Sequence, residues 1–161
     1  MSTPPLEARL GEILRERKLT LATAESCTGG LVGHRLTNVP GSSDYYLGGV
    51  IAYAYSAKVR QLGVKWGTLE AHGAVSPETV IEMAEGVRTA FEADIGISIS
   101  GVAGPGGGTP EKPVGLVWFG LSILGDTWTR EKRFKGDRTA IKEQAAEAAL
   151  GFVMDYLEGR L

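Results

Sequence analysis

The apolar run Leu19–Thr23 breaks directly into Ala-Glu-Ser-Cys-Thr-Gly-Gly at positions 24–30, after which Leu31, Val32 and Leu36 resume apolar positions at helical spacing. Such a switch of periodicity marks a strand, a tight turn and a helix in succession. The bend carries a hydroxyl (Ser26), a thiol (Cys27) and two glycines. The first turn of a helix leaves backbone N–H groups unpaired and bears a partial positive charge. A nucleophile at Ser26 or Cys27 would therefore stand beside donors suited to an oxyanion, with Thr28, Gly29 and Gly30 as the expected sources. Ordinary helix capping by Ser26 or Thr28 is the alternative use of the same residues.

The rest of the chain repeats the alternation. Leu6, Leu10, Ile13 and Leu14 predict a helix ending near Arg17-Lys18. A strand over 19–24 and a helix over about 27–37 follow. Residues 40–44 have turn and capping chemistry that predicts a short helix through Tyr45-Tyr46-Leu47. Residues 48–53 predict a buried strand, and 56–62 a short helix stopped by Gly63. Ser76-Pro77-Glu78 is a helix start, with Val80, Ala84, Val87 and Phe91 as its apolar stripe. Asp94–Ser100 alternates with period two, Val114–Ile123 is a long apolar strand, and Gly125-Asp126 turns it into a strand over 127–134. Asp137 is placed to cap a last helix with core positions Ile141, Ala145, Ala148, Phe152 and Tyr156. Helices alternating with strands early and a strand pair late predict an α/β fold, a three-layer α/β/α sandwich with a mixed, mostly parallel sheet. With 161 residues and no linker or repeat, residues 1–161 are expected to form one domain.

Composition narrows the function. A net charge of −2 gives no basic face for nucleic acid. No apolar stretch is long enough to span a membrane, and the N-terminus lacks the apolar core of a signal peptide. The single cysteine suits a reducing cytoplasm, and two histidines 38 residues apart make no metal-binding pattern. A cytoplasmic protein without metal or cofactor is expected. The aromatic residues show no nucleic-acid stacking pattern, and the tryptophans are expected in the core or at an interface.

Two further segments carry candidate chemistry. Tyr53-Ala-Tyr-Ser-Ala-Lys58 joins a strand to a helix, at the edge of an α/β sheet where ligands bind. Lys58 falls in the first turn of that helix, where the dipole disfavours a cation; a lysine held neutral can serve as a general base. Paired with Ser26 it would make a serine–lysine dyad, a known alternative to the serine–histidine–aspartate arrangement. A solvated surface lysine is the competing reading. Ser100, Gly101, Gly104, Gly106 and Gly107 lie in a glycine-rich loop after a strand, whose exposed N–H groups could wrap an anion. The loop is neither a P-loop nor a dinucleotide fingerprint. Gly136-Asp137-Arg138 opens a helix, and Arg138 with the 101–108 loop is expected to hold a phosphate.

Read together, Thr23-Ala-Glu-Ser-Cys-Thr-Gly-Gly30, Val39-Pro-Gly-Ser-Ser43, Ser100-Gly-Val-Ala-Gly-Pro-Gly-Gly-Gly108 and Glu111-Lys-Pro-Val-Gly-Leu-Val-Trp118 resemble the C-terminal domain of the CinA family, also found as a stand-alone nicotinamide-nucleotide amidohydrolase. His72-Gly-Ala-Val-Ser76 and Gly136-Asp-Arg138 fit the same family in the same order. The resemblance implies deamidation of nicotinamide mononucleotide (NMN) to nicotinate mononucleotide and ammonia. It implies Ser26 as nucleophile, Lys58 as its base and an assisting tyrosine, Tyr53 or Tyr55. The family typically reads Tyr-Ser-Asn-x-Ala-Lys where this chain has Tyr53-Ala-Tyr-Ser-Ala-Lys58; the tyrosine and lysine are kept and the serine and asparagine are not. The implied partner is this small-molecule substrate, with room for a homo-oligomer and none for nucleic acid or a membrane. A pyridine-nucleotide sensor without turnover is the alternative function, and a cysteine hydrolase built on Cys27 a third.

Overall fold

Three ends of the long helices have a local cause. A computed structural model describes residues 2–161, in which α1 (Leu6–Arg17) ends where Lys18 turns left-handed. Helix α5 (Pro77–Phe91) starts with proline in its first turn and the Ser76 hydroxyl accepting the Thr79 N–H. Asp137 caps α6 (Arg138–Leu157) by accepting the Ala140 N–H at 2.9 Å.

Between them run β1 (Leu21–Glu25), α2 (Leu31–Thr37), β2 (Tyr46–Ile51), α3 (Tyr55–Leu62), α4 (Trp66–His72), β3 (Ile95–Gly101), β4 (Leu116–Ile123) and β5 (Asp126–Arg133). The sheet order is β2-β1-β3-β4-β5. β1 is parallel to both neighbours and β4 is antiparallel to both of its own, so only β4 runs against the other four. Helices α1, α2 and α6 cover one face over a core that includes Leu10, Leu36, Ile97, Phe119 and Phe152. Helices α3, α4 and α5 cover the other over Ala22, Leu62, Leu69, Val80 and Met83. The fold is the mixed three-layer α/β/α sandwich.

Three local readings are corrected. Residues 45–47 are not helical: a single 3₁₀ turn covers Ser42–Asp44, and β2 begins at Tyr46. Tyr45 is fully buried, and the Tyr46 hydroxyl lies 2.7 Å from Thr23 Oγ1, so pairing against β1 overrides the capping signal. β2 is an edge strand with alternate residues exposed, not a buried one. In α6, Ala148 and Tyr156 are half-buried while Ala146, Ala149 and Val153 are fully buried, because this helix buries more than a narrow stripe. Helix α4 was absent from the sequence reading. Of the tryptophans, Trp118 and Trp128 pack on the two cores, whereas Trp66 is exposed.

The topology creates a crevice. From β1 the chain crosses by α2 to β2; from β2 it returns past β1, over the opposite face, to β3. The carboxyl ends of β1 and β3 therefore flank a switch point, where open α/β sheets bind ligands.

Candidate active site

Ser26 follows β1 and keeps its ladder, donating its N–H to the Ile99 carbonyl at 2.9 Å. Because side chains alternate along a strand, Ser26 shares the face of Ala22 and Ala24, toward α3 and α5. There it meets Lys58, which is 1% exposed. Lys58 Nζ lies 2.9 Å from Ser26 Oγ, 2.8 Å from the Ala52 carbonyl and 2.9 Å from the Tyr53 carbonyl. The two carbonyls only accept, so each fixes one N–H of the amine. The third tetrahedral corner, whether a proton or a lone pair, then points at the serine hydroxyl. Burial pulls the Lys58 pKa down from its ordinary 10.5 to about 8, although the Cys27 thiolate would raise it. The surface-lysine reading is excluded by this geometry.

Cys27 behaves in the opposite way. It is 5% exposed within the α1–α2–α6 core, and burial pushes its thiol up to about 12. A thiol so shifted is protonated at neutral pH and is a poor nucleophile.

The acid between the strand and the serine escaped the sequence reading. Glu25 is 2% exposed, and its carboxylate accepts the Thr28 hydroxyl at 2.6 Å and the N–H groups of Gly30, Val32 and Gly33 at 3.2, 3.0 and 3.0 Å. It closes the start of α2 with its own charge. The signal was an ionisable residue ending an otherwise apolar strand. One expectation is altered as a result. The Gly30 N–H is held by Glu25 and the Gly29 N–H by the Ser26 carbonyl at 3.1 Å, so neither is free for an oxyanion. Among the described residues the N–H groups of Cys27 and Thr28 donate to no acceptor. Gly29 and Gly30 instead supply the left-handed turn, at φ 59° and 105°.

The cleft at Ser26 has a volume of about 270 Å³ and is lined by Lys58, Tyr53, Ala74, Ser100, Arg138 and the 101–107 loop, glycines 101, 104, 106 and 107 included. Within that loop the N–H groups of Ala103, Gly104, Gly106 and Gly107 have no acceptor among the described residues. Arg138 ties the mouth together, donating to the Gly104 carbonyl at 2.7 Å and to the Tyr53 hydroxyl at 2.9 Å. The Tyr53 ring is 61% exposed. Thr28, Gly29 and Gly30 line a neighbouring groove rather than this cleft. No cluster of side chains suited to a metal ion occurs among the described residues, and no helix there is long and apolar enough to cross a membrane.

The class is a three-layer α/β/α domain with a buried serine–lysine pair beside a small polar cleft at the switch point of its sheet. Comparison with known proteins gives the family. The CinA C-terminal domain model matches residues 3–157, and the chain belongs to that family. It is 56% identical over 145 residues to a CinA-like protein of Salinibacter ruber, covering 90% of this chain and 35% of that protein. A CinA-like protein of Kosmotoga olearia is 53% identical over 148 residues, covering 92% of this chain and 36% of its own length. The chain thus spans about a third of the length of the curated relatives it matches. Solved structures agree: a competence-damaged protein (CinA) superfamily protein of Klebsiella pneumoniae superposes with a TM-score of 0.92 at 39% identity, over 96% of each chain. The competence/damage inducible protein CihA of Agrobacterium tumefaciens gives 0.89 at 36%, over 98% of this chain and 99% of its own.

Proposed function

We propose that this domain is an amidohydrolase that deamidates nicotinamide mononucleotide, with Ser26 as nucleophile and Lys58 as base. The carrying observation is the 2.9 Å contact between Lys58 Nζ and Ser26 Oγ, with the amine aligned by two backbone carbonyls. The substrate is the one implied by the resemblance of Thr23–Gly30, Ser100–Gly108 and Glu111–Trp118 to the CinA C-terminal family.

Neutral Lys58 takes the Ser26 proton as Oγ attacks the carboxamide carbon. The oxyanion is met by the N–H groups of Cys27 and Thr28, which adjoin the nucleophile and lack other acceptors. As the tetrahedral adduct collapses, the C–N bond breaks and Lys58 returns its proton to the departing amine, which leaves as ammonia. Water, deprotonated by Lys58, then hydrolyses the nicotinate ester of Ser26. The positive pyridinium ring withdraws electrons from the carbonyl and favours attack. Tyr53, fixed by Arg138, borders the cleft through which the amide enters.

The test is ammonia release by the purified domain from NMN, nicotinamide riboside, free nicotinamide and benzamide. The reading expects NMN to be turned over best and benzamide not at all. Failure to release ammonia from NMN, with the nucleotide still binding, would replace the amidase by a nucleotide sensor.

A further inference from the structure

Arg138 and Lys142 stand one turn apart at the start of α6, a spacing at which side chains share a face. Two cations there repel one another and oppose the positive end of the helix dipole. Arg138 has protein partners that explain its place, the Gly104 carbonyl and the Tyr53 hydroxyl. Lys142 has none. It enters no hydrogen bond or ion pair among the described residues, although it is half-buried.

Its ammonium nevertheless has a definite position. A Cβ built on Gly29 would lie 3.8 Å from Lys142 Nζ, so the charge rests over the turn that follows Ser26. That charge is felt at the Cys27 thiol. Lys142 lines a groove of about 410 Å³ with Thr28, Gly29, Gly30, His34, Thr139 and Glu143. The groove adjoins the Ser26 cleft along two shared segments. The turn runs from Ser26 and Cys27 in the cleft to Thr28–Gly30 in the groove, and α6 runs from Arg138 in one to Thr139 in the other. A substrate with its carboxamide at Ser26 has in the adjoining groove a cation that makes no hydrogen bond or ion pair among the described residues. The Arg138 guanidinium, which the sequence assigns with the 101–108 loop to the phosphate, is instead taken up by the Gly104 carbonyl and the Tyr53 hydroxyl at the cleft mouth.

We propose that the groove at Lys142 is an anion subsite continuous with the catalytic cleft, in which Lys142 receives the phosphate monoester of the substrate. The assignment rests on the amidase reading for the identity of the substrate, not for the existence of the subsite. Glu143 lines the same groove, and its carboxylate opposes an anion there.

Calorimetric binding of NMN and of inorganic phosphate, together with steady-state kinetics on NMN and nicotinamide riboside, tests this in the intact domain. Lys142→Met is expected to weaken NMN about tenfold to a hundredfold in both Kd and KM, the loss of one charge-assisted contact, with kcat changed by less than about threefold. The riboside should suffer a loss at least about tenfold smaller. Lys142→Arg should restore most of the affinity, and Glu143→Gln should tighten both NMN and inorganic phosphate. An unchanged NMN Kd in Lys142→Met, or equal losses on nucleotide and riboside, would overturn the subsite. If wild-type protein binds NMN without releasing ammonia, the amidase reading alone falls, and the Kd comparison still decides Lys142.

Discussion

Lys58 links stability and activity through one proton, so changing pH probes both. Its pKa of about 8 in the folded chain, against an ordinary 10.5, means that at pH 7 about a tenth of molecules carry the neutral amine. An unperturbed lysine would be neutral in about three molecules in ten thousand, so burial enriches the base roughly 300-fold. On the amidase reading, kcat/KM for NMN should rise about tenfold per pH unit up to about pH 8 and then level. The same shift acts on folding. Between about pH 8 and 10.5 the unfolded lysine still holds its proton while the folded one has lost it, so stability rises with pH. Cys27 works against this from about pH 9 upward, since its thiol ionises in the unfolded chain but stays protonated in the folded one up to about 12. The clean window is therefore pH 7.5–9. There the gain from Lys58 outweighs the loss from Cys27, a net rise of about 1 kcal/mol, or roughly 2–4 °C in Tm. Urea denaturation at the two pH values checks it. Lys58→Met should lose the gain and become slightly less stable at pH 9. A wild-type curve that falls across this window, or a rate that keeps rising to pH 10, would refute the buried, lowered amine.

Other expectations follow from single contacts. Lys58→Arg should be inactive, since a guanidinium cannot act as a base near neutral pH; ammonia assays check this. Glu25→Gln puts an amide donor among N–H groups that need an acceptor, and should cost about 1–3 kcal/mol, read as a drop in Tm. An unchanged Tm would show that the carboxylate does not anchor α2. In Gly86→Ala the new methyl would collide with the Leu62 carbonyl oxygen, forcing α5 from the end of α3. A loss of about 1–3 kcal/mol in urea denaturation is expected.

The layer architecture was legible because strand and helix periods alternate cleanly, and because Pro77, Asp137 and Lys18 punctuate the helices. Ser26 and Lys58 were legible as residue types at element ends; their contact was not, since 32 positions separate them in the chain and only the parallel pairing of β1 with β2 brings them together. The 45–47 helix was misread because local turn chemistry says nothing about Thr23, to which Tyr46 bonds. Glu25 was overlooked and Gly30 overvalued for one reason: a helix N-terminus offers donors, and a sequence does not show that a buried neighbour has already taken them. Nothing in the sequence separates Lys142 from the other charged residues of α6. Its significance lies in what faces it, Gly29 across the groove.

The central claim is that Ser26, and not Cys27, attacks the amide. The direct measurement is ammonia release from NMN by wild-type protein, Ser26→Ala and Cys27→Ala, purified side by side and matched in NMN binding. The expected result is turnover by wild type and Cys27→Ala, with a loss on the order of a thousandfold or more in Ser26→Ala. Turnover by Ser26→Ala within about tenfold of wild type would contradict the account, as would an inactive but folded Cys27→Ala beside it.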